Sequence, residues 1–492
     1  MRRALMIALA VSAAGCVVGP RYKPPQTSVD PTFTQANAGG YAVGEPVGPF
    51  WTVFADARLA KLIDEALTAN HDVRIAAARL REARALRRES KFDRWPTTAV
   101  SGGYTRAKVS EGQAPGLDED ARTTGLYDVG FDAGWELDLF GRVRRAVDAR
   151  TAAAEAAAFD ARAVQVSVSA EIARSYFELR SFQRQLDVAR QNAENQRQTL
   201  DITQVRLDAG RGTALDTERA RAQLSSTLAT IPSLEAAIAA SAHRIAVLTG
   251  RQPAALVADL TQAADVPTLP ATVDVGSPET LLRRRPDIQS AERILAAQTA
   301  LVGVAVADLF PKVTFSARLG VNGETPADAF GSGGAAYAFG PSITWPAFNL
   351  GRVRARIRAS EARADETLAR YEQTVLLAIE EVETSLVAFE RARARREQLI
   401  EAAQASERAA DLARVRFEGG LSDFLQVLDA ERTRLAAQDL VARSLAETST
   451  SLVAVYKALG GGWSQEKIDA LTTTSRIAAT PAAASTPATS KP

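Results

Sequence analysis

From Tyr127 to Leu137 the odd positions (Tyr127, Val129, Phe131, Ala133, Trp135, Leu137) are apolar, and the even ones are polar or glycine. That alternation puts one apolar face on a β-strand. Directly afterwards, from about Arg142 to Ala209, the spacing changes: Ile172, Leu179, Leu186, Ala193, Leu200 and Leu207 recur every seventh residue. The same switch happens again further on. Tyr337, Phe339, Ile343 and Trp345 alternate with Ala338, Gly340, Ser342 and Thr344, and Leu368, Val375, Val382 and Phe389 then repeat by sevens between about Arg352 and Gly419. A sustained heptad predicts helices that supercoil on neighbours. At 1.5 Å per residue each is roughly 100 Å long.

The recurrence is a duplication. Trp135-Glu-Leu-Asp-Leu-Phe-Gly-Arg-Val-Arg144 matches Trp345-Pro-Ala-Phe-Asn-Leu-Gly-Arg-Val-Arg354 at an offset of 210, which also carries Val205-Arg206…Gly210 onto Val415-Arg416…Gly420 and Gly250 onto Gly460. Before the first strands the offset is 215: Leu67 maps to Leu282, Asp72 to Asp287 and Pro96 to Pro311. The five residues changed within the first hairpin, where a loop tolerates insertion and a packed helix does not. The expected fold is α+β, a duplicated helix–β-hairpin–long-helix–helix unit. The first repeat spans 56–250, with strands at about 97–109 (the weakest, resting on Val100 and Tyr104) and 126–137. A linker covers 251–276. The second repeat spans 277–463, with strands at about 312–321 and 335–345, and 464–492 reads as a disordered Ala/Thr/Ser/Pro tail. Gly210 and Gly420 suit left-handed helix ends. Thr213 and Ser422 suit caps for the returning helices, and Pro232 should kink the first of them.

The N-terminus adds a location. Arg2-Arg3, the apolar run Ala4–Val11 and the small residues Ser12-Ala13-Ala14-Gly15 form a secretory signal over 1–15, ending at Cys16. Small-Gly-Cys has the form of a bacterial lipobox, in which Cys16 is lipidated and 16–55 becomes an extended leader; ordinary cleavage beside a chance cysteine is the plainer alternative. One acyl chain anchors weakly and needs a second attachment, and no long apolar helix is evident downstream.

Composition removes other classes. A net charge of +1 gives no footprint for nucleic acid, and two distant histidines with one cysteine leave no metal site. No cofactor motif, phosphate loop or nucleophile elbow is present, so an enzyme is not expected.

Alternating strands of this length suit either a soluble hairpin or a transmembrane barrel. In the barrel reading Tyr127, Val129, Phe131 and Trp135 face lipid, while Asp128, Asp132 and Glu136 face the lumen. Four strands cannot close a barrel, and lipid does not tolerate open edges, so several chains must contribute. The residues alone lead to a lipid-anchored oligomeric duct, with a poreless coiled-coil scaffold as the rival.

Five segments in order carry a resemblance: Cys16-Val-Val-Gly-Pro-Arg-Tyr22, Trp135…Arg144, Leu282-Arg-Arg-Arg-Pro-Asp287-Ile, Phe424-Leu-Gln-Val-Leu-Asp-Ala430 and Ala458-Leu-Gly-Gly-Gly-Trp463. Together they resemble the TolC-like outer-membrane efflux family, in particular its NodT/OprM-like lipoprotein branch serving resistance-nodulation-division (RND) pumps. The resemblance implies a homotrimer in the outer membrane, with a 12-stranded transmembrane β-barrel on a long periplasmic α-helical barrel. It implies a periplasmic adaptor and an inner-membrane RND pump as partners, with small molecules such as drugs passing through the duct; a duct for type I protein secretion shares the architecture. Val17 and Val18, after the anchor, lack the aspartate that favours inner-membrane retention of lipoproteins. The tips at Arg206, Gly210, Arg416 and Gly420 become adaptor-docking sites, with Phe417 where TolC itself has a tyrosine. Asp216 and Asp429 become an aperture gate, with Arg432 placed to pair with Asp429 along the helix and Gln426 standing where the family has a second acid. Thr213-x-x-Asp216 reads equally as a capping box.

Overall fold

The computed structural model describes residues 17–35, 40–42, 44–45, 48–262, 264 and 266–473. The signal, Cys16 and the tail beyond 473 lie outside the described residues. In order, the main elements are α1 (Ala57–Ala69), α2 (His71–Phe92), β1 (Thr97–Lys108), β2 (Thr123–Leu137), α3 (Arg142–Asp208), α4 (Ala214–Leu248), α5 (Pro278–Arg284), α6 (Pro286–Ala307), β3 (Lys312–Gly323), β4 (Ala335–Thr344), α7 (Leu350–Glu418), α8 (Phe424–Ala458) and α9 (Gln465–Thr473). They fall into two compact units. One contains residues up to 26, 81–157 and 290–372; the other contains 27–80, 158–289 and 373 onwards.

Local chemistry sets the helix starts. Asp56 accepts from the Arg58 and Leu59 amides at α1, Asn70 does the same for Asp72 and Val73 at α2, and Asp138 takes the Val143 and Arg144 amides at α3. Ser277 and Thr280 make a reciprocal capping box at α5, with Pro278 in the first turn. The duplication recurs in the helix ends. At Gly210, Gly250, Gly420 and Gly460, all with φ between 68° and 73°, the glycine amide reaches back three residues and the next amide reaches back five. Four Schellman endings thus sit at the four glycines that the repeat aligns.

The second unit is built on a main apolar core. Phe33, Phe50, Phe54 and Leu59 pack with Ile172, Phe177 and Leu179 of α3, Val382 and Phe389 of α7, and Leu452 and Tyr456 of α8. Of the heptad positions, Ile172, Leu179, Leu186 and Ala193 of α3 and Val375, Val382 and Phe389 of α7 are buried, while Leu200, Leu207 and Leu368 are half-buried. Beside this core the Arg180 side chain is fully enclosed, donating to the Tyr176 hydroxyl, to Gln183 and to the Gln262 carbonyl, while Tyr176 donates to Asp56. Burial is the main cause that pushes the Tyr176 hydroxyl up to about 12.

Three expectations change here. Residues 41–42 of the leader pair in parallel with 273–274 of the linker, so neither segment is wholly irregular. The beginning of the expected tail is helical: α9 buries Ile468, and Lys467 pairs with Asp64. Pro232 stands inside α4, which runs on past it. By composition α4 and α6 are also long and apolar enough for a membrane span, at a hydropathy of 1.2. Alanine content produces that value, and α4 packs Ile238, Ala242, Ile245 and Ala246 into the core of its unit.

The first unit holds a four-stranded antiparallel sheet in the order β1-β2-β3-β4. β1 and β2 form the first hairpin, β3 and β4 the second, and the β2·β3 pairing (Phe131 opposite Leu319, Trp135 opposite Phe315) joins the repeats.

Candidate channel-forming surfaces

Opposed residues in an antiparallel pair share a face, so the register sorts the sheet. On one face lie Val100 and Tyr104 of β1; Tyr127, Val129, Phe131 and Trp135 of β2; Phe315, Leu319 and Val321 of β3; and Tyr337, Phe339 and Ile343 of β4. This face is open: Val100 is 79%, Leu319 66%, Phe339 71% and Ile343 69% exposed. Tyr104 and Tyr127 meet at 4.5 Å between ring centroids, an aromatic pair across the first hairpin.

The opposite face carries Ser101, Asp128, Asp132, Glu136, Lys312 and Arg318. Arg318 bridges Asp128 and Asp132, Ser101 donates to Asp132, and Glu136 is bonded by Arg142. Reading along one strand found the carboxylates but not Arg318 as their partner, because a cross-strand pair follows from register. β1 and β4 are the outer strands, and neither has a neighbour on its outer side among the described residues.

The leader reaches the foot of this sheet. The Val18 amide donates to the Phe140 carbonyl, and Val17 fills the space above Gly141 (φ 84°), where a Cβ would come within 2.8 Å of it. Residue 17 thus lies beside the end of β2.

At the helix reversals the two repeats differ. Arg206 lies 4.2 Å over the Phe417 ring and donates to the Glu418 carbonyl, which ties the two reversals together. Phe417 is buried with Phe424, Val427 and Leu428 in a small local core. Arg416, the repeat partner of Arg206, is exposed, as are Val205, Val415, Leu421 and Leu425. Gly210 and Gly420 have open space where a Cβ would stand, so positive φ, not crowding, requires glycine there.

The candidate gate residues are placed unequally. Asp216 accepts from the Thr213 hydroxyl at 2.7 Å, while the Asp216 amide donates back to that oxygen, completing a cap. Asp429 is exposed, one turn into α8. Arg432 does not pair with it. Arg432 turns to the neighbouring helix and donates to Gln223 of α4 at 2.7 Å, where it staples α8 to α4. The α8 cap is Asp423, which accepts from the Gln426 amide, and not Ser422, whose hydroxyl is buried without a partner. The charged acceptor one residue further on outcompetes the hydroxyl.

A family model described as outer membrane efflux protein matches residues 62–251 and 277–461. The chain belongs to the outer membrane efflux protein family. It is 31% identical over 451 residues to nodulation protein T of Rhizobium leguminosarum bv. trifolii, covering 92% of this chain and 95% of that one. It is 30% identical to the probable outer membrane lipoprotein SilC of Salmonella typhimurium, covering 92% and 96%. Among solved structures it is similar to the outer-membrane channel OprN, with a TM-score of 0.86 and 42% identity over 91% of this chain and all of that one.

This efflux protein therefore acts at the outer membrane as an export channel, and the fold is that of the TolC-like channels. Glu431 was not found by sequence reasoning. It is 2% exposed in α8 and accepts from Thr199 of α3 and Arg414 of α7, a polar tie across three helices. A glutamate on a long helix ordinarily faces water, and only the packing of α3 and α7 around α8 shows this one buried.

Proposed function

We propose that this protein is the passive outer-membrane duct of a tripartite efflux system, working as a homotrimer whose sheets close into a twelve-stranded barrel and whose long helices form a periplasmic tunnel. The observation that carries the proposal is the sheet: apolar side chains on one face, carboxylates bridged by Arg318 on the other, and an open strand at each edge. Open edges are not tolerated in hydrocarbon, so copies must meet edge to edge, and three copies of four strands give an even, closed set. The polar face then lines the pore, and Tyr127, Val129, Phe131 and Trp135 meet lipid.

Cys16 is the acyl anchor in this proposal. Val17 beside the foot of β2 supports it, because the lipid then enters the bilayer next to the barrel that supplies the second attachment. The reversals at Arg206, Gly210, Arg416 and Gly420 dock a periplasmic adaptor, which couples the duct to an inner-membrane RND pump. Arg416 and the exposed Val415 and Leu421 support the docking role; Arg206 acts through Phe417 to hold the tip. Asp429 and its symmetry copies form a cation-binding ring at the aperture, and Asp216, held in its cap, contributes less.

Fractionation and acyl labelling test the anchor. Wild-type protein should be labelled and recovered with the outer membrane, and Cys16→Ser should lose the label while the barrel still inserts. Mature wild-type protein in the inner membrane would contradict the proposal.

A further inference from the structure

We infer that the helices directly beneath the sheet carry a cationic collar on the side of its apolar face, built from Arg88, Lys91, Arg354 and Arg358, which binds the phosphodiester headgroups of anionic phospholipids in the inner leaflet of the outer membrane. This inference rests on the proposed barrel and names what surrounds its foot. Charge is spread unevenly along the chain. Residues 84–94, 142–150 and 350–363 hold fourteen arginines and lysines against four acids, in a chain whose net charge is +1. These segments end α2, begin α3 and begin α7, so all three lie next to the sheet. The matching end of α6, residues 294–307, has no charged residue.

The cations divide between two sides. Arg142 donates to Glu136, and Arg352 and Arg356 line a cleft with Glu136 and Thr344, all on the side of the polar face. Arg354 and Arg358, each two residues further on, stand about 200° round α7 from those two, on the side of the apolar face. α2 divides in the same way. Leu86 and Glu89 share a cleft with Ala146, Ala149 and Ala153, the flank of α3 that starts at Arg142. Arg84, Arg88 and Lys91, spaced four and three residues apart, form a stripe on the opposite flank. Arg88, Lys91, Arg354 and Arg358 are exposed, and no side-chain hydrogen bond or ion pair holds any of them among the described residues. Arg144, the repeat counterpart of Arg354, is by contrast held by Asp138.

Two independent marks set the level of the bilayer edge. Trp95 and Trp345, with Phe348, are exposed at the foot of the sheet, and tryptophan favours the membrane–water interface. Val17, next to the proposed anchor, packs on Gly141, which the repeat aligns with Gly351. Lys91 lies four residues from Trp95 and Arg354 three from Gly351, about 5–6 Å of helix in each case. The headgroup layer of one leaflet is about 5–8 Å thick. Both cations therefore reach phosphate depth on stems that lie along the apolar edge. Arg88 and Arg358 follow one turn further from the membrane, still within the screening distance of about 8–10 Å. α2 and α7 adjoin the two outer strands, so in the closed barrel the collar gathers where copies meet.

Three of the five tryptophans, Trp95, Trp135 and Trp345, stand on the apolar side near this level, so quenching of their fluorescence by brominated lipids reports the neighbouring headgroups. Purified protein reconstituted with brominated phosphatidylglycerol in competition with phosphatidylcholine should prefer the anionic lipid about fivefold or more. That preference should fall towards one as salt is raised from about 0.1 M to about 1 M and the Debye length shortens. The fourfold variant Arg88→Gln, Lys91→Gln, Arg354→Gln, Arg358→Gln should lose most of it. Arg352→Gln with Arg356→Gln, which removes charge from the polar side of the same helix, should keep it. A wild-type preference near one, a preference that salt leaves unchanged, or an undiminished preference in the fourfold variant would overturn the collar and leave the barrel standing. Loss of preference in the polar-side pair alone would overturn it too. Protein that never enters the bilayer would overturn the barrel and the collar together.

Discussion

In the helical unit Phe50, Phe54 and Phe177 are exposed by 1% or less, whereas in the sheet unit Tyr337 and Phe339 are exposed by 76% and 71%. The same residue types serve opposite purposes. The first group removes apolar area from water within one chain, which stabilises that chain alone. The second, Tyr337 and Phe339, stack on each other and otherwise stand open in the single chain, and in the proposed barrel their stabilisation comes from lipid. The polar groups divide the same way: Arg180 and Glu431 are enclosed and bonded by their own chain, while β1 and β4 have no strand on their outer sides among the described residues and in the proposed trimer pair with another copy. A single chain therefore contains one unit with its own closed core and one whose sheet, in the proposed trimer, is completed only by assembly.

Truncations at matched aromatic positions sharpen that contrast most. Phe54→Ala should destabilise the purified protein by about 3–5 kcal/mol, the range for emptying a packed aromatic site, with a lower denaturation midpoint. Phe339→Ala, which in the single chain loses only its stacking on the similarly exposed Tyr337 ring, should change the midpoint little. Equal losses at both would break the comparison. Charge substitutions on the sheet come next. Phe131→Arg puts a charge in hydrocarbon at roughly 2–4 kcal/mol near mid-bilayer, so outer-membrane trimer yield should fall sharply. Asp132→Arg, on the face already holding Arg318, should fall far less. Similar yields for the two variants would mean a sheet in water. A smaller effect belongs to the reversals. Gly420→Val forces a β-branched residue to φ near 72°, a strain of about 1–3 kcal/mol confined to the tip. Trimers should persist while efflux complementation drops; normal export would remove the docking role of this end.

Sequence period was enough to read the elements. Alternation at Tyr127–Leu137 and heptads at Ile172–Leu207 are local patterns, and local patterns set strand and helix before any tertiary contact forms. The weaker strand, β1, was visible only through Val100 and Tyr104 because its remaining positions are small or polar. Partner choice was less legible. Arg432 bonding Gln223 rather than Asp429, and Asp423 rather than Ser422 capping α8, depend on which neighbouring helix or amide lies within reach. Glu431 was hidden for the same reason, since three helices must converge before its burial exists. α9 was lost in a composition that matches the tail after it, with Ile468 as its one buried residue.

The claim on which the rest depends is that the assembled protein is a hollow duct narrowed by carboxylates. Single-channel recording in a planar bilayer tests it directly, with a divalent or trivalent cation added from the side of the helix reversals. Purified trimers should give discrete conductance steps, block by the cation, and weaker block in Asp429→Ala, with Asp216→Ala adding little because that carboxylate is held in its cap. Trimers that never conduct would contradict the duct, and block unchanged in the Asp216→Ala, Asp429→Ala double variant would contradict the carboxylate ring.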